Sequence, residues 1–253
     1  MDLRLQGRTA AVAGASSGLG YASAAALVAD GVRVAVCGRD EKRIEEAAAR
    51  LEAIGGAGSA VPVVADVSTP AGATGFVTDA IGVLGSVDIL VPNAGGPPPG
   101  TFASTDVDAY AAALDLNLVS VVAMCKAAIP AMQARRWGRV VAITSISVRQ
   151  PIGTLILSNT ARAGATAFLK TVAREVAADG VTVNSVQPGI HATNRITSLY
   201  GDDTSAAAQG IPAGVIGDPA DFGNVVAFLC SEHARFITGA AIPVDGGAYA
   251  GLQ

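Results

Sequence analysis

The sequence predicts an α/β fold: a single domain on a doubly wound, seven-stranded parallel sheet with helices on both faces. Three observations predict it. Short Val-, Ile- and Ala-rich runs alternate with longer helical stretches along the whole chain, the order that parallel strands with right-handed crossovers require. Hydrophobic residues make up 51% of the 253 residues and charged residues 15%, which suits strands covered by helices on both sides. No shift in composition divides the chain, so one core is expected.

The first strand, RTAAVA at 8–13, leads into the turn GASSGLG and an Ala-rich helix that runs to Asp30. The second strand is VRVAVCG at 32–38. Asp40 follows it as an N-cap for the charged helix EKRIEEAAARLEAI, accepting a free N–H of the first turn. GGAGS ends that helix, and VPVVADV is the third strand. Thr69-Pro70 opens the next helix, with proline at the first position, where its missing N–H costs nothing. VDILVPNAG is the fourth strand with its turn, and GGPPPGTFAS, without periodicity, is a loop. A long helix is expected from about Asp106 to Arg136, bent or broken at Pro130. RVVAITS is the fifth strand, a long helix begins near Ser158, and VTVNSVQ is the sixth strand. Residues 189–217 lack a clean period and read as a loop with one short helix. A helix with Pro219 near its start and the strand AAIPVDGG close the fold.

The net charge of −4 and a pI near 5.1 argue against nucleic acid, which wants a basic face. No run of about 18 apolar residues is read, so no membrane span is expected. The start, MDLRLQGRTAAVAGA, carries Asp2 early and runs straight into the glycine turn, so it reads as a strand and not a leader. Cys37, Cys125 and Cys230 lie far apart without metal spacing. No metal is expected, and buried thiols in a reducing cytoplasm are.

Open α/β sheets place their chemistry at the carboxyl ends of the strands. At the first such end, Gly14, Gly18 and Gly20 form a G-x-x-x-G-x-G turn between strand and helix. Small residues there let a phosphate approach the backbone and meet the helix N-terminus, whose free N–H groups and dipole favour anions. An ordinary glycine-rich turn is the alternative, and motifs further on weigh against it. Asp66-Val67 follows the third strand and Pro92-Asn93-Ala94-Gly95 the fourth. Asn117 lies in the long helix, Asn184, Pro188-Gly189 and Thr193 lie on and after the sixth strand, and the chain closes with ITGAAIPVDGG. With these motifs, over nearly its whole length, the sequence resembles the short-chain dehydrogenase/reductase family. Ala13 replaces the first residue of the family's TGxxxGxG, and Pro92 the first of its NNAG.

The resemblance implies a Rossmann fold and an NAD(P) cofactor held at Gly14, Ser16, Ser17, Gly18, Leu19 and Gly20 of the turn. It also implies contacts from Asp66, Val67, Asn93, Gly95, Arg162, Pro188, Gly189 and Thr193. Arg39, at the end of the second strand, suits a ribose 2′-phosphate. NADP is therefore expected, with NAD possible if Arg39 only solvates its turn. A homo-oligomer, tetramer or dimer, is implied, built on the two long helices. Residues 189–217 would be the substrate lid over a small-molecule carbonyl or alcohol, a 3-oxoacyl thioester by family analogy.

The family's reaction uses a serine, a tyrosine thirteen positions later, a lysine four beyond that, and an asparagine. Ser145 and Asn117 fit the serine and the asparagine; thirteen positions after Ser145 stands Ser158, and four further on Arg162. Tyr21, Tyr110, Tyr200 and Tyr249 all lie outside this segment. The i, i+4 spacing keeps positions 158 and 162 on one helix face. A phenol titrates near about 10, an aliphatic alcohol far less readily, and an arginine gives up no proton. The proton must come from another source, a water or His191 on the loop after Pro188-Gly189. Ser158-Asn159 has a second reading as a helix cap, and His191 as a solvated loop residue. Two functions stay open: an oxidoreductase with an altered proton donor, or a catalytically silent nucleotide-binding or structural homologue, acting as a cofactor sensor or as a subunit of a hetero-oligomer.

Overall fold

The computed structural model describes residues 1–194, 196 and 205–252. Strands β1 (Thr9–Val12), β2 (Arg33–Gly38), β3 (Ala60–Val64), β4 (Ile89–Val91), β5 (Gly138–Ile143), β6 (Val181–Pro188) and β7 (Ala241–Val244) form one sheet. It is parallel throughout, in the order β3-β2-β1-β4-β5-β6-β7. The order reverses between β1 and β4, and that switch leaves a crevice at the strands' carboxyl ends.

Strand alternation sorts the core into two layers. Ala11, Ala35, Val140 and Val183 face helices α3 (Pro70–Leu84), α5 (Ser120–Arg135) and α6 (Ile156–Val176), meeting Phe76, Met124, Met132 and Leu169. Ala10, Val34, Val141 and Val186 face the other way, onto α1 (Gly18–Ala29), α2 (Glu41–Gly55) and α8 (Pro219–Cys230), meeting Leu27, Ile44, Leu51 and Phe222. Burying one such Leu or Phe contributes roughly 1.5–3 kcal/mol, so the two layers dominate the stability. The helix starts follow their local chemistry. Asp40 accepts from the Arg43 N–H, Thr69 from Gly72 with Pro70 behind it, and Asp218 from Ala220 ahead of α8.

The structure departs from the sequence reading in several places. The long helix starts at Ala109 and is α4 (Ala109–Leu114), a wider π turn at Asp115–Val119, and then α5. It is not broken at Pro130, which sits inside α5. Pro130 and Lys126 both face solvent, so water can take the carbonyl that the proline leaves without a donor. Ala109–Arg135 together is 27 residues long, and an 18-residue stretch within it has a mean hydropathy of 1.7, enough by length and composition alone to cross a bilayer. Asp115, Asn117 and Lys126 interrupt it, so it is not an unbroken apolar run. Here the helix packs on the sheet through Val121, Met124, Ala128 and Met132.

Helix α6 begins at Ile156 after Leu155, so Ser158-Asn159 lies inside its first turn and is not its cap. Of the expected lid, residues 195 and 197–204, Tyr200 among them, lie outside the described residues. Its described part includes one short helix, α7 (Ser205–Ala208).

Candidate active site

The glycine turn is fixed on three sides. Ala13 donates its N–H to Val91 and Ala15 to Cys37, tying the turn to β4 and β2. Gly14 and Gly18 have φ of +57° and +61°, the left-handed region that side chains avoid. A Cβ on Gly20 would lie 2.4 Å from the Gly14 carbonyl oxygen and 2.7 Å from Asn93 Nδ2, so only glycine fits there. Ser17, at the N-cap of α1, makes no side-chain bond to the helix, and the first N–H groups of α1 stay available to an anion. Thr193 closes the fourth side: its methyl lies 3.7 Å from where a Cβ on Gly18 would be. Gly189 packs so tightly on the chain's end that a Cβ there would meet Asp245 Cα at 2.8 Å.

Asn93 is turned inward. Its Nδ2 donates to the carbonyls of Ala13 at 3.2 Å and Gly14 at 3.1 Å, which gives it a positioning role beneath the turn. Arg39 is exposed at the end of β2 while Asp40 is occupied as a cap. Asp66 accepts from the Ser68 N–H at 3.0 Å. That bond holds its carboxyl below the usual range, with help from the nearby charge of Arg39. Val67 beside it is buried.

The reaction end lies beyond β5. Ser145 is half-buried, and its Oγ accepts from the Ser147 N–H at 3.1 Å. Ser158 and Arg162 are both buried, one turn apart on α6. Arg162 donates through Nη1 to Ile143 and Thr144 at 3.1 and 3.3 Å, and through Nη2 to Ala94 and Gly95 at 3.2 and 3.5 Å. Its guanidinium thus clamps α6 to the carboxyl ends of β4 and β5. Asn117 lies in the π turn and donates from Nδ2 to the same Gly95 carbonyl at 3.0 Å. Asn117 and Arg162 thus meet at the Gly95 carbonyl after β4, Arg162 also reaches Thr144, next to Ser145, after β5, and Ser158 lies one turn before Arg162 on α6.

His191 stands apart from them. It pairs with Gly217 and packs edge-on against Phe222 of α8, ring centroids 5.2 Å apart, on the opposite layer from α6. The ring is 4% exposed, so the solvated reading is corrected: the loop folds it under. Burial pushes its pKa down, against a contact of Nδ1 with the Gly189 carbonyl at 3.2 Å. The three cysteines are buried and pushed up to about 12 by that burial, so they are inert thiols. Among the described residues no cluster of His, Cys, Asp and Glu is arranged to hold a metal.

A family model described as "Enoyl-(Acyl carrier protein) reductase" matches residues 14–249. The 3-oxoacyl-[acyl-carrier-protein] reductase FabG of Vibrio harveyi is 34% identical, over 98% of this chain and 99% of its own. The chain belongs to the short-chain dehydrogenase/reductase family. The L-sorbose reductase of Gluconobacter frateurii, solved with NADPH and L-sorbose, superposes with a TM-score of 0.93 at 30% identity, covering 100% of both chains. A 7α-hydroxysteroid dehydrogenase solved with NADH and a 7-oxo bile acid conjugate gives 0.90 at 26%, covering 100% of this chain and 98% of its own.

For a short-chain dehydrogenase/reductase, two features at this end were not singled out from the motifs. Arg50 of α2 reaches back over Tyr21, 4.5 Å from the ring centroid, to the Ser16 carbonyl at 3.4 Å. It brings a second cation beside the glycine turn. Only an arginine on a charged helix marks it in the sequence. Gln187 of β6 is wholly buried, and both its amide atoms lack a partner among the described residues, as does Ser147 Oγ. By strand alternation Gln187 shares the α6 side with Val183. A polar residue late in an apolar strand was the signal available for it.

Proposed function

We propose that the chain is an NAD(P)-dependent oxidoreductase interconverting a carbonyl and an alcohol, with NADPH as its cofactor and a 3-oxoacyl thioester as its substrate class. The observation that carries it is the glycine turn, in which Gly14, Gly18 and Gly20 are each held where a side chain is strained or excluded, under an uncapped helix start. Those residues fit a dinucleotide pyrophosphate. On this reading Asp66 meets the adenine, and Arg39, with Arg50 behind the turn, meets a 2′-phosphate. The NADPH complex of the related sorbose reductase supports that choice; the NADH complex of the steroid dehydrogenase keeps NAD as the second cofactor to test.

When bound, the nicotinamide supplies or takes the hydride. The chain's own residues do the rest. Ser145 Oγ, half-exposed beside the strand end, hydrogen-bonds the substrate oxygen. Arg162 brings a fixed positive charge close by and, through its carbonyl bonds, holds the ends of β4 and β5 in register with α6. On this reading Ser158 and Arg162 stand for the family's tyrosine and lysine, and an aliphatic alcohol and a guanidinium are poor proton donors near neutral pH. A water relayed past Ser158 is the proton source this reading favours. His191 is the other candidate, and its packing against Phe222 supports a structural role instead. Losing a positioned acid–base group costs about 10²–10⁴-fold in rate, so slow turnover is expected. On this reading the chain works as a cytoplasmic homo-oligomer built on the long helices, and the buried free thiols are in keeping with a reducing compartment.

One observation favours a second reading, a silent nucleotide-binding homologue: both terminal nitrogens of Arg162 are engaged by backbone carbonyls. Fluorescence titration with NADPH and NADH, then a panel of ketones, aldehydes and acyl thioesters, separates the two. NADPH binding with turnover supports the oxidoreductase. Binding without turnover leaves the silent homologue, and no binding below millimolar concentration removes the oxidoreductase and leaves only a scaffold role.

A further inference from the structure

We propose that the chain carries a second ligand site, at the amino-terminal end of the sheet, for a small organic anion held by its carboxylate or phosphate head. A cavity of about 480 Å³ opens there between the starts of β5 and β6 and the turn before β7, lined by Arg136, Trp137, Arg139, Thr182, Arg235 and Phe236. That volume lies in the range of small-molecule sites. Ser145 lies past the far end of β5, roughly 20 Å off at about 3.3 Å per residue, so this is not the cavity of the proposed reaction.

The cavity gathers more positive charge than it balances. The Glu232 carboxylate is shared by Arg139 at 3.7 Å, Arg8 at 3.9 Å and the indole N–H of Trp137. Arg235 donates to the Glu232 backbone carbonyl at 3.5 Å, and Arg136 faces Asp179 at 3.6 Å. Among the described residues Arg8 and Arg139 share the Glu232 carboxylate, Arg136 pairs with Asp179, and Arg235 meets no carboxylate, in a chain whose net charge is −4. Burial first, and then the charges of Arg8 and Arg235, push the Arg139 pKa down against the pull of Glu232. A further negative charge would relieve that repulsion.

A second observation points the same way. Arg139 and Thr182 are 2% and 4% exposed, and Arg139 Nε and Thr182 Oγ1 have no hydrogen-bond partner among the described residues. Buried donors are nearly always paired, and both residues line the cavity. Guanidinium forks match carboxylate and phosphate in shape as well as charge. Beside them the cavity has apolar walls. Trp137 lies between Arg8, 3.8 Å from its centroid, and Arg139, at 4.4 Å, and Phe236 is fully exposed at the mouth. An aromatic surface next to the cations suits an organic anion better than a bare ion.

Trp137 is the chain's one tryptophan, so its emission reports on the site. The full chain is titrated with phenyl phosphate, benzoate and inorganic phosphate. The expected result is a saturable change with phenyl phosphate or benzoate. Arg235→Gln and Thr182→Val should each weaken it roughly tenfold and leave NADPH titration as in the parent chain. No saturable change with any probe, or one that neither substitution weakens, overturns the site. Inorganic phosphate binding as tightly as phenyl phosphate would overturn the assignment to an organic ligand. Should Arg235→Gln fail to fold by circular dichroism, the nearly isosteric Thr182→Val decides alone.

Discussion

Arg162 serves four backbone carbonyls at the ends of β4 and β5, and this explains why an arginine fits there. A lysine has one nitrogen and cannot span both strand ends. Arg162→Leu should therefore lower stability by about 3 kcal/mol or more, since buried acceptors lose their donors; urea unfolding measures it. The paired change Ser158→Tyr with Arg162→Lys tests the chemistry at the same positions. It should raise NADPH-dependent carbonyl reduction by about 10²–10⁴-fold, and an unchanged rate in a folded double variant would count against the proposed places of these residues.

His191 gives a prediction with a sign. Its pKa is lowered from 6.5 by burial, so the unfolded chain binds this proton more tightly than the folded one. Its contribution is full above the unfolded value of about 6.5 and is lost as the pH falls toward the folded value. Urea unfolding at about pH 7.5 and about pH 5.5 should show the parent chain losing more stability over that interval than His191→Gln. Equal losses would mean the ring is not held neutral by the fold.

At the scale of elements, the glycine turn is the part most open to direct test. Gly20→Ala places a Cβ against the Gly14 carbonyl and the Asn93 amide, backbone and a bonded side chain that cannot yield easily. An overpacking cost of about 1–3 kcal/mol is expected, with weaker NADPH binding; thermal melting and fluorescence titration read the two effects separately. This turn was legible in the sequence because its constraint is local, as were the cap Asp40 and the helix starts marked by Thr69-Pro70 and Pro219. The start of α6 was not. Ser158-Asn159 has the look of a cap, but the start is set by Gly100, whose carbonyl takes the Ile156 N–H and whose N–H bonds Thr154. No local window contains that contact. The π turn at Asp115–Val119 was hidden for a related reason: Asn117 is drawn inward to Gly95, while Pro130, the local signal for a bend, faces water and bends nothing visible in the element bounds.

For the whole molecule, a parallel sheet with helices on both faces was legible from alternation, because connection rules leave few arrangements; the order of its strands and the switch point came from the structure. The sheet then carries two ends of different character. Its carboxyl end holds the glycine turn, Asp66, Ser145 and Arg162; its amino end holds the arginine-lined cavity around Trp137. The burial of His191 was illegible, since it depends on α8, which follows it in the chain and folds back over the loop. The central claim is that a dinucleotide-binding end is intact and works with Ser145 at a reaction end whose proton comes from water. NADPH consumption with a 3-oxoacyl thioester, compared between the parent chain and Ser145→Ala, tests it most directly. The account predicts slow turnover in the parent chain and a fall of about 10²-fold or more in Ser145→Ala, with NADPH binding retained. Turnover unchanged by Ser145→Ala, or none in the parent chain when NADPH is bound, would contradict it.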